Sequence, residues 1–160
     1  MTTIGTSAFN GCSSLQSLII PNSVTSIGNQ AFEDCIALTS VTIGSSVTVI
    51  GDLAFAFCSS LTGVTIPNSV ISIRGGAFRY CLNLMSVTMG SSVAYISGDV
   101  FEECQKLTSI HCKNAVPASA TFSPFSGLQY ESVTLYVPKG SREAYMDTSP
   151  WYYFANIIEE

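Results

Sequence analysis

The apolar positions of this chain recur at one fixed interval. Ile4, Ile27, Ile50, Ile73 and Ile96 are evenly spaced. Each is followed by a small residue and a phenylalanine: Ala8-Phe9, Ala31-Phe32, Ala54-Phe55, Ala77-Phe78 and Val100-Phe101. A cysteine column comes next, Cys12, Cys35, Cys58, Cys81 and Cys104, and then Leu15, Leu38, Leu61, Leu84 and Leu107. Leu18, Val41, Val64, Val87 and Ile110 alternate with polar residues and lead to Ile20, Ile43, Ile66, Met89 and Cys112. Val24, Val47, Val70 and Val93 complete the pattern. One such unit has its apolar side chains on a single side and cannot close a core. Stacked units bury each column against the same column above and below.

The alternating stretch Leu38-Thr-Ser-Val41-Thr-Ile43 predicts a short strand rich in β-branched residues. Equivalent strands of successive coils pair in parallel, about 4.8 Å apart. Pro21-Asn-Ser, Gly44-Ser-Ser, Pro67-Asn-Ser and Gly90-Ser-Ser end the strands as turns. Their alternation points to an underlying doublet, in which two successive units form the duplicated piece. Gly28–Phe32 reads as a turn or a short helical piece. The expected architecture is an α/β-type repeat solenoid with a parallel β-sheet and little helix. Five units, 4–26, 27–49, 50–72, 73–95 and 96–118, make up a repeat region over 1–114, the last unit being degenerate after Asn114.

Residues 115–160 read as a C-terminal capping unit of the same continuous solenoid domain. Strands are expected at 108–112 and 132–137. A short helix is expected at 142–146, with Ser141 accepting a backbone N–H at its start. The aromatic cluster Trp151, Tyr152, Tyr153 and Phe154 either covers the end of the solenoid or lines a ligand pocket.

Composition narrows the function classes. With 47% hydrophobic and 11% charged residues, the 160-residue chain is not disordered and is long enough for one sizeable core. A net charge of −5 argues against nucleic acid and anionic membranes as partners. No apolar run approaches the roughly 20 residues of a spanning helix, so membrane insertion is not expected. The start, Met-Thr-Thr-Ile-Gly, shows no signal-peptide pattern. Six cysteines could form disulfides, but residues of one repeat column project in parallel, which is poor disulfide geometry. Reduced thiols in the core are expected at Cys12, Cys35, Cys58, Cys81 and Cys104, each a weak donor to a backbone carbonyl.

The unit I-G-x-x-A-F-x-x-C-x-x-L-x-x-V-x-I-P-x-S-V resembles the BspA-like, or Treponema pallidum type, leucine-rich repeat over about residues 4–113. The tail Leu135-Tyr-Val-Pro138-Lys-Gly140, with Trp151, Phe154 and Ile157, resembles the terminal unit of bacterial members. The resemblance implies a right-handed leucine-rich solenoid with its sheet on the concave face. It implies a non-enzymatic cell-surface or secreted protein that adheres to host matrix proteins, host cells or other microbes. A structural spacer or wall-associated stalk, and a glycan-binding surface, are the other readings.

Two surfaces are candidates for contact. On the concave face the outward strand positions are Gln16, Thr39, Thr62, Met85 and Thr108, and Ile19, Thr42, Thr65, Thr88 and His111. This face is hydroxyl-rich and without formal charge; it suits a protein or glycan, or is simply a solvated sheet. On the convex side, Phe57 and Tyr80 should be neighbours on adjacent coils with Arg79 beside them, either an interaction patch or packing under the arc. The acidic pairs Glu33-Asp34 and Glu102-Glu103 read as solvated surface. Catalysis finds little support. The single histidine, His111, should point away from Cys112 by strand alternation, and no zinc spacing, phosphate loop or dinucleotide fingerprint occurs. No cofactor is expected.

Overall fold

A computed structural model describes residues 2–160; Met1, the first residue of the expected repeat region, lies outside the described residues. The chain winds as a solenoid of parallel strands. One series comprises β1 (Thr2–Ile4), β3 (Val24–Ile27), β5 (Val49–Ile50), β7 (Ser72–Ile73), β9 (Tyr95–Ile96) and β11 (Ser119–Ala120). The other comprises β2 (Ser17–Ile19), β4 (Ser40–Thr42), β6 (Gly63–Thr65), β8 (Ser86–Met89), β10 (Ser109–Cys112), β12 (Thr134–Val137) and β13 (Asn156–Glu159). The first series forms one six-stranded parallel sheet. The strand expected from the sequence belongs to the second series, so each coil carries one strand more than its alternation revealed. The additional strands are only two to four residues long. They hold the isoleucine column, whose side chains face the core.

The second series is not one sheet. It is split into β2–β4 and a five-stranded β6–β8–β10–β12–β13 piece, although β4 and β6 remain neighbours. The break falls at Gly63, where the other four regular coils have serine. Glycine weakens a strand by its backbone freedom and its missing side chain.

The columns pack as the repeat predicts. Phe32, Phe55, Phe78 and Phe101 are fully buried, and so are Leu38, Leu61 and Leu84. Consecutive phenylalanine rings lie 5.2–5.7 Å apart with planes within 10° of parallel. Phe125 extends this ladder from within the segment read as the cap, 5.7 Å from Phe101. There the period slips. Ala120 pairs with Ile96 of the isoleucine column, one position later than the repeat requires, and Leu135 pairs with Ile110, two positions late.

Between the strands each coil makes an arc of turns. Two arc positions are left-handed in coil after coil: Ser7, Gln30, Leu53, Gly76 and Asp99, and then Gly11, Asp34, Phe57, Tyr80, Glu103 and Gly127. A side chain in this region costs roughly 1–2 kcal/mol, so the neighbouring coils must impose the conformation. They do so through backbone hydrogen bonds between coils, among them Phe57 N–H to the Arg79 carbonyl at 2.8 Å and Tyr80 N–H to the Glu102 carbonyl at 2.8 Å.

The alternating corners also have a physical cause. The Asn22 side chain accepts the Ser45 N–H at 2.8 Å, and Asn68 accepts that of Ser91 at 3.1 Å. A Cβ at Gly44 would lie 2.5 Å from the Pro21 carbonyl oxygen, and one at Gly90 would meet that of Pro67 in the same way. A proline coil therefore rests on a glycine coil, and the pair is the doublet.

The tail contains the expected helix, α1 (Arg142–Met146), and a 3-10 turn at Trp151–Tyr153. Ser141 does not cap α1 as expected. Its hydroxyl donates to the Pro138 carbonyl, and the Glu159 carboxylate instead accepts the N–H groups of Gly140 and Arg142, at 2.9 and 3.1 Å. The carboxylate also opposes the positive end of the short helix.

Candidate functional site

The buried cysteines are structural. All six are free; Cys35, Cys58, Cys81 and Cys104 are buried, and so is Cys112. Each of the first four donates its S–H to a phenylalanine carbonyl of the preceding coil: Phe9, Phe32, Phe55 and Phe78, at 3.2–3.3 Å. Cys12 departs from the expected core position and is exposed, because the described coils pack on it from one side only. Burial pushes the Cys58, Cys104 and Cys112 thiols up to about 12, and raises those of Cys35 and Cys81 as well. These groups stay protonated at neutral pH, which suits a hydrogen-bond donor and disqualifies a nucleophile. Among the described residues no group of three His, Cys, Asp or Glu side chains could hold a metal ion. No helix among them is long and apolar enough to cross a membrane.

The sheet face places its candidates outward. Gln16, Ile19, Thr39, Thr42, Thr62, Thr65, Met85 and Thr108 lie at the surface, Ile19 exposed to 77%; Thr88 and His111 are half-buried. Not all the hydroxyls are available to a partner. Thr39 donates to the Gln16 carbonyl at 2.9 Å and Thr108 to that of Met85 at 3.2 Å.

The face is also longer and less neutral than its sequence suggests. Strand pairing continues the His111 position to Tyr136 and then to Ile158. The His111 ring stacks on Tyr136 at 4.3 Å, and its Nδ1 lies 3.0 Å from a Glu160 carboxylate oxygen. Tyr136 and Ile158 escape the column pattern because the period has slipped by then. The alternation in Val133-Thr-Leu135-Tyr136-Val137 is the only signal of Tyr136, and Ile158 has none of that kind.

On the arc, Phe57, Arg79 and Tyr80 do meet. The Phe57 and Tyr80 rings stack at 5.1 Å with planes 6° apart. The Arg79 guanidinium lies 5.2 Å from the Tyr80 ring centre, and it forms an ion pair with Glu102 of the next coil. Phe57 is 38% exposed, while Tyr80 and Arg79 are half-buried. The two rings occupy the left-handed arc position where the first coil has Gly11. This backbone carries their side chains outward, away from the core columns. Of the acidic pairs, Glu33 accepts from Asn10 and Gln30 at 2.9 and 2.8 Å, so it braces two coils as well as facing water.

The aromatic cluster of the tail divides. Trp151 and Phe154 are buried, and Trp151 donates its indole N–H to the Ala118 carbonyl at 2.9 Å. Tyr152 and Tyr153 are exposed.

These features define a leucine-rich-repeat solenoid that displays side chains on a sheet face and on its arc. The BspA type leucine rich repeat region model matches residues 1–134 in 6 copies, and the chain belongs to that family. The matched region takes in the Phe125 coil, whose altered spacing hides it from the column count. Two solved structures are similar. One is a leucine rich repeat protein of T. pallidum, at 26% identity and a TM-score of 0.68, with the match covering 85% of this chain and 67% of that one. The other is a leucine rich cell surface protein of Faecalibacterium prausnitzii A2-165, at 29% identity and a TM-score of 0.66, covering 91% of this chain and 41% of that one. The chain thus spans less than half of the second. No curated protein matches.

Proposed function

We propose that the chain is a non-enzymatic adhesion scaffold of a cell-surface or secreted protein, binding protein partners through side chains displayed on its coils. The family is compatible with a protein-interaction scaffold, and one similar solved protein is described as a cell surface protein. The observation that carries the reading is the Phe57–Tyr80 stack with Arg79 alongside. Aromatic and arginine side chains are the usual anchors of protein contacts. The rings stack on one another and Arg79 packs on Tyr80, so part of their side-chain freedom is already lost before binding. The sheet face, with Ile19, Met85 and the free threonines, is the second surface in this reading.

A screen against immobilised matrix proteins and host cells tests both surfaces. Phe57→Ser with Tyr80→Ser is expected to reduce attachment at least tenfold with the fold intact. The triple change Thr42→Lys, Thr65→Lys and Thr88→Lys asks the same of the sheet face. If neither set alters attachment while the number of coils does, the chain is a spacer.

A further inference from the structure

The tail holds a cleft that the contact surfaces above do not include. It has a volume of about 250 Å³ and is lined by Ala120, Phe122, Ser123, Ser149, Pro150 and Tyr153. We propose that this cleft binds one ring of a neutral sugar, stacked between Phe122 and Tyr153 and hydrogen-bonded by the surrounding hydroxyls.

Phe122 is the first reason. It is 92% exposed. Its left-handed backbone, with φ of 62°, stands 23 residues after Asp99 and belongs to the arc turn that recurs from coil to coil. The fold therefore accounts for the backbone but not for the side chain: a phenylalanine this exposed gains almost nothing from burial, whereas recognition gives it a role. Tyr153, also in the lining, is 54% exposed. Its ring is positioned by Tyr130 at 5.5 Å and Tyr152 at 4.5 Å.

The lining chemistry selects the ligand. None of the six residues is charged, so the occupant is neutral. The polar groups are hydroxyls, each of which donates and accepts, as the hydroxyls of a pyranose do. The Ser123 hydroxyl already lies 3.4 Å from that of Tyr130, a pair that a sugar hydroxyl can join. The apolar C–H face of a pyranose matches an aromatic ring. The volume falls below the ~300–1,000 Å³ of drug-sized sites, which suits one ring rather than a long ligand. An extended peptide would have to add to strand β11, which at two residues is too short to hold it in register.

Calorimetric titration of the full chain with lactose, maltotriose, cellotriose and chitotriose tests this. At least one is expected to bind with a Kd of about 1 mM or tighter. Phe122→Ala and Tyr153→Leu should each weaken that binding about tenfold or more without lowering the melting temperature, and Ser149→Ala should weaken it severalfold. The pair Phe57→Ser and Tyr80→Ser should leave sugar binding unchanged, which keeps the outcome separate from that of the adhesion scaffold. The proposal is overturned if none of the four sugars binds up to about 10 mM. It is equally overturned if the Phe122 and Tyr153 variants bind as well as the parent. A peptide occupying the cleft while the sugars do not would also refute it.

Discussion

The regular coils and the tail pack the same kind of side chain in opposite ways. From Phe9 to Phe125 the rings lie parallel, tilted by no more than 10° from one coil to the next. Beyond Phe125 most core rings meet edge to face, although Trp151 and Phe154 lie 28° from parallel. Phe125 contacts Trp151 at 67° and Phe154 at 82°, and Tyr145 contacts Trp151 at 77°. Identical residues translated along an axis must take the same orientation, so repetition dictates the parallel stack. Where repetition ends, the rings are free to adopt mostly edge-to-face contacts, which their quadrupoles favour. The coils gain order from translation; the tail must gain it from particular contacts.

That contrast can be broken most forcefully at Trp151. Trp151→Ala removes a fully buried ring and leaves the Ala118 carbonyl unpaired, and should cost about 3–5 kcal/mol. In a solenoid each coil touches only its neighbours, so the loss should appear first in the tail. Hydrogen exchange at 134–137 and 156–159 is expected to accelerate before that at 40–42. Uniform acceleration would mean that coils and tail unfold as one unit.

Gly44→Ala probes the coils. Its Cβ would lie 2.5 Å from a backbone oxygen, which cannot move without shifting a whole coil. A loss of about 2–3 kcal/mol in denaturant melts is expected. Met146→Ala, half exposed on α1, serves as the neutral control, within about 0.5 kcal/mol.

Alkaline pH should act on the coils through their buried thiols and, at still higher pH, on the tail through Tyr145, whose phenol burial also raises. Burial raises the Cys58, Cys104 and Cys112 thiols from 9.0 to about 12, so between those values the folded chain keeps protons that the unfolded chain releases. Their contribution to stability is complete below about pH 9 and declines as pH rises toward 12, at up to about 1.4 kcal/mol per pH unit for each thiol. Melting temperatures measured from pH 8 upward should show the decline, and Cys58→Ala should make it shallower.

Apart from the Met146 control, the smallest effect is expected at the seam between the regions. The Tyr145 hydroxyl donates to the Asn114 carbonyl at 2.7 Å. Tyr145→Phe should cost about 1 kcal/mol in the same melts.

The columns make the coils readable because each core position has the same neighbours in every unit. Ile, Phe and Leu therefore recur wherever the environment does. The cysteine column reads as core throughout, and the exposed Cys12 departs from it because burial needs a coil on both sides. The first-series strands are not legible: stretches as short as Val49–Ile50 carry no alternation to recognise. The sixth coil is hidden by its shifted spacing, with Leu135 rather than Val133 pairing to Ile110. At the candidate site, the outward threonines follow directly from strand alternation. Tyr136 and Ile158 do not, since they join that face only through strand pairing beyond the regular period.

By itself, the sequence determined the repeat length, the core columns and the register, because those follow from a periodic need to bury apolar surface. Tertiary structure alone decided the rest. It showed that Phe57 and Tyr80 lean outward on a left-handed backbone, that Trp151 is buried while Tyr153 is not, and that Phe122 and Tyr153 share a cleft. Phe57 and Tyr80 share a column, but their outward lean comes from contacts between coils; Phe122 and Tyr153 share none, and only the closed path of the chain brings them together.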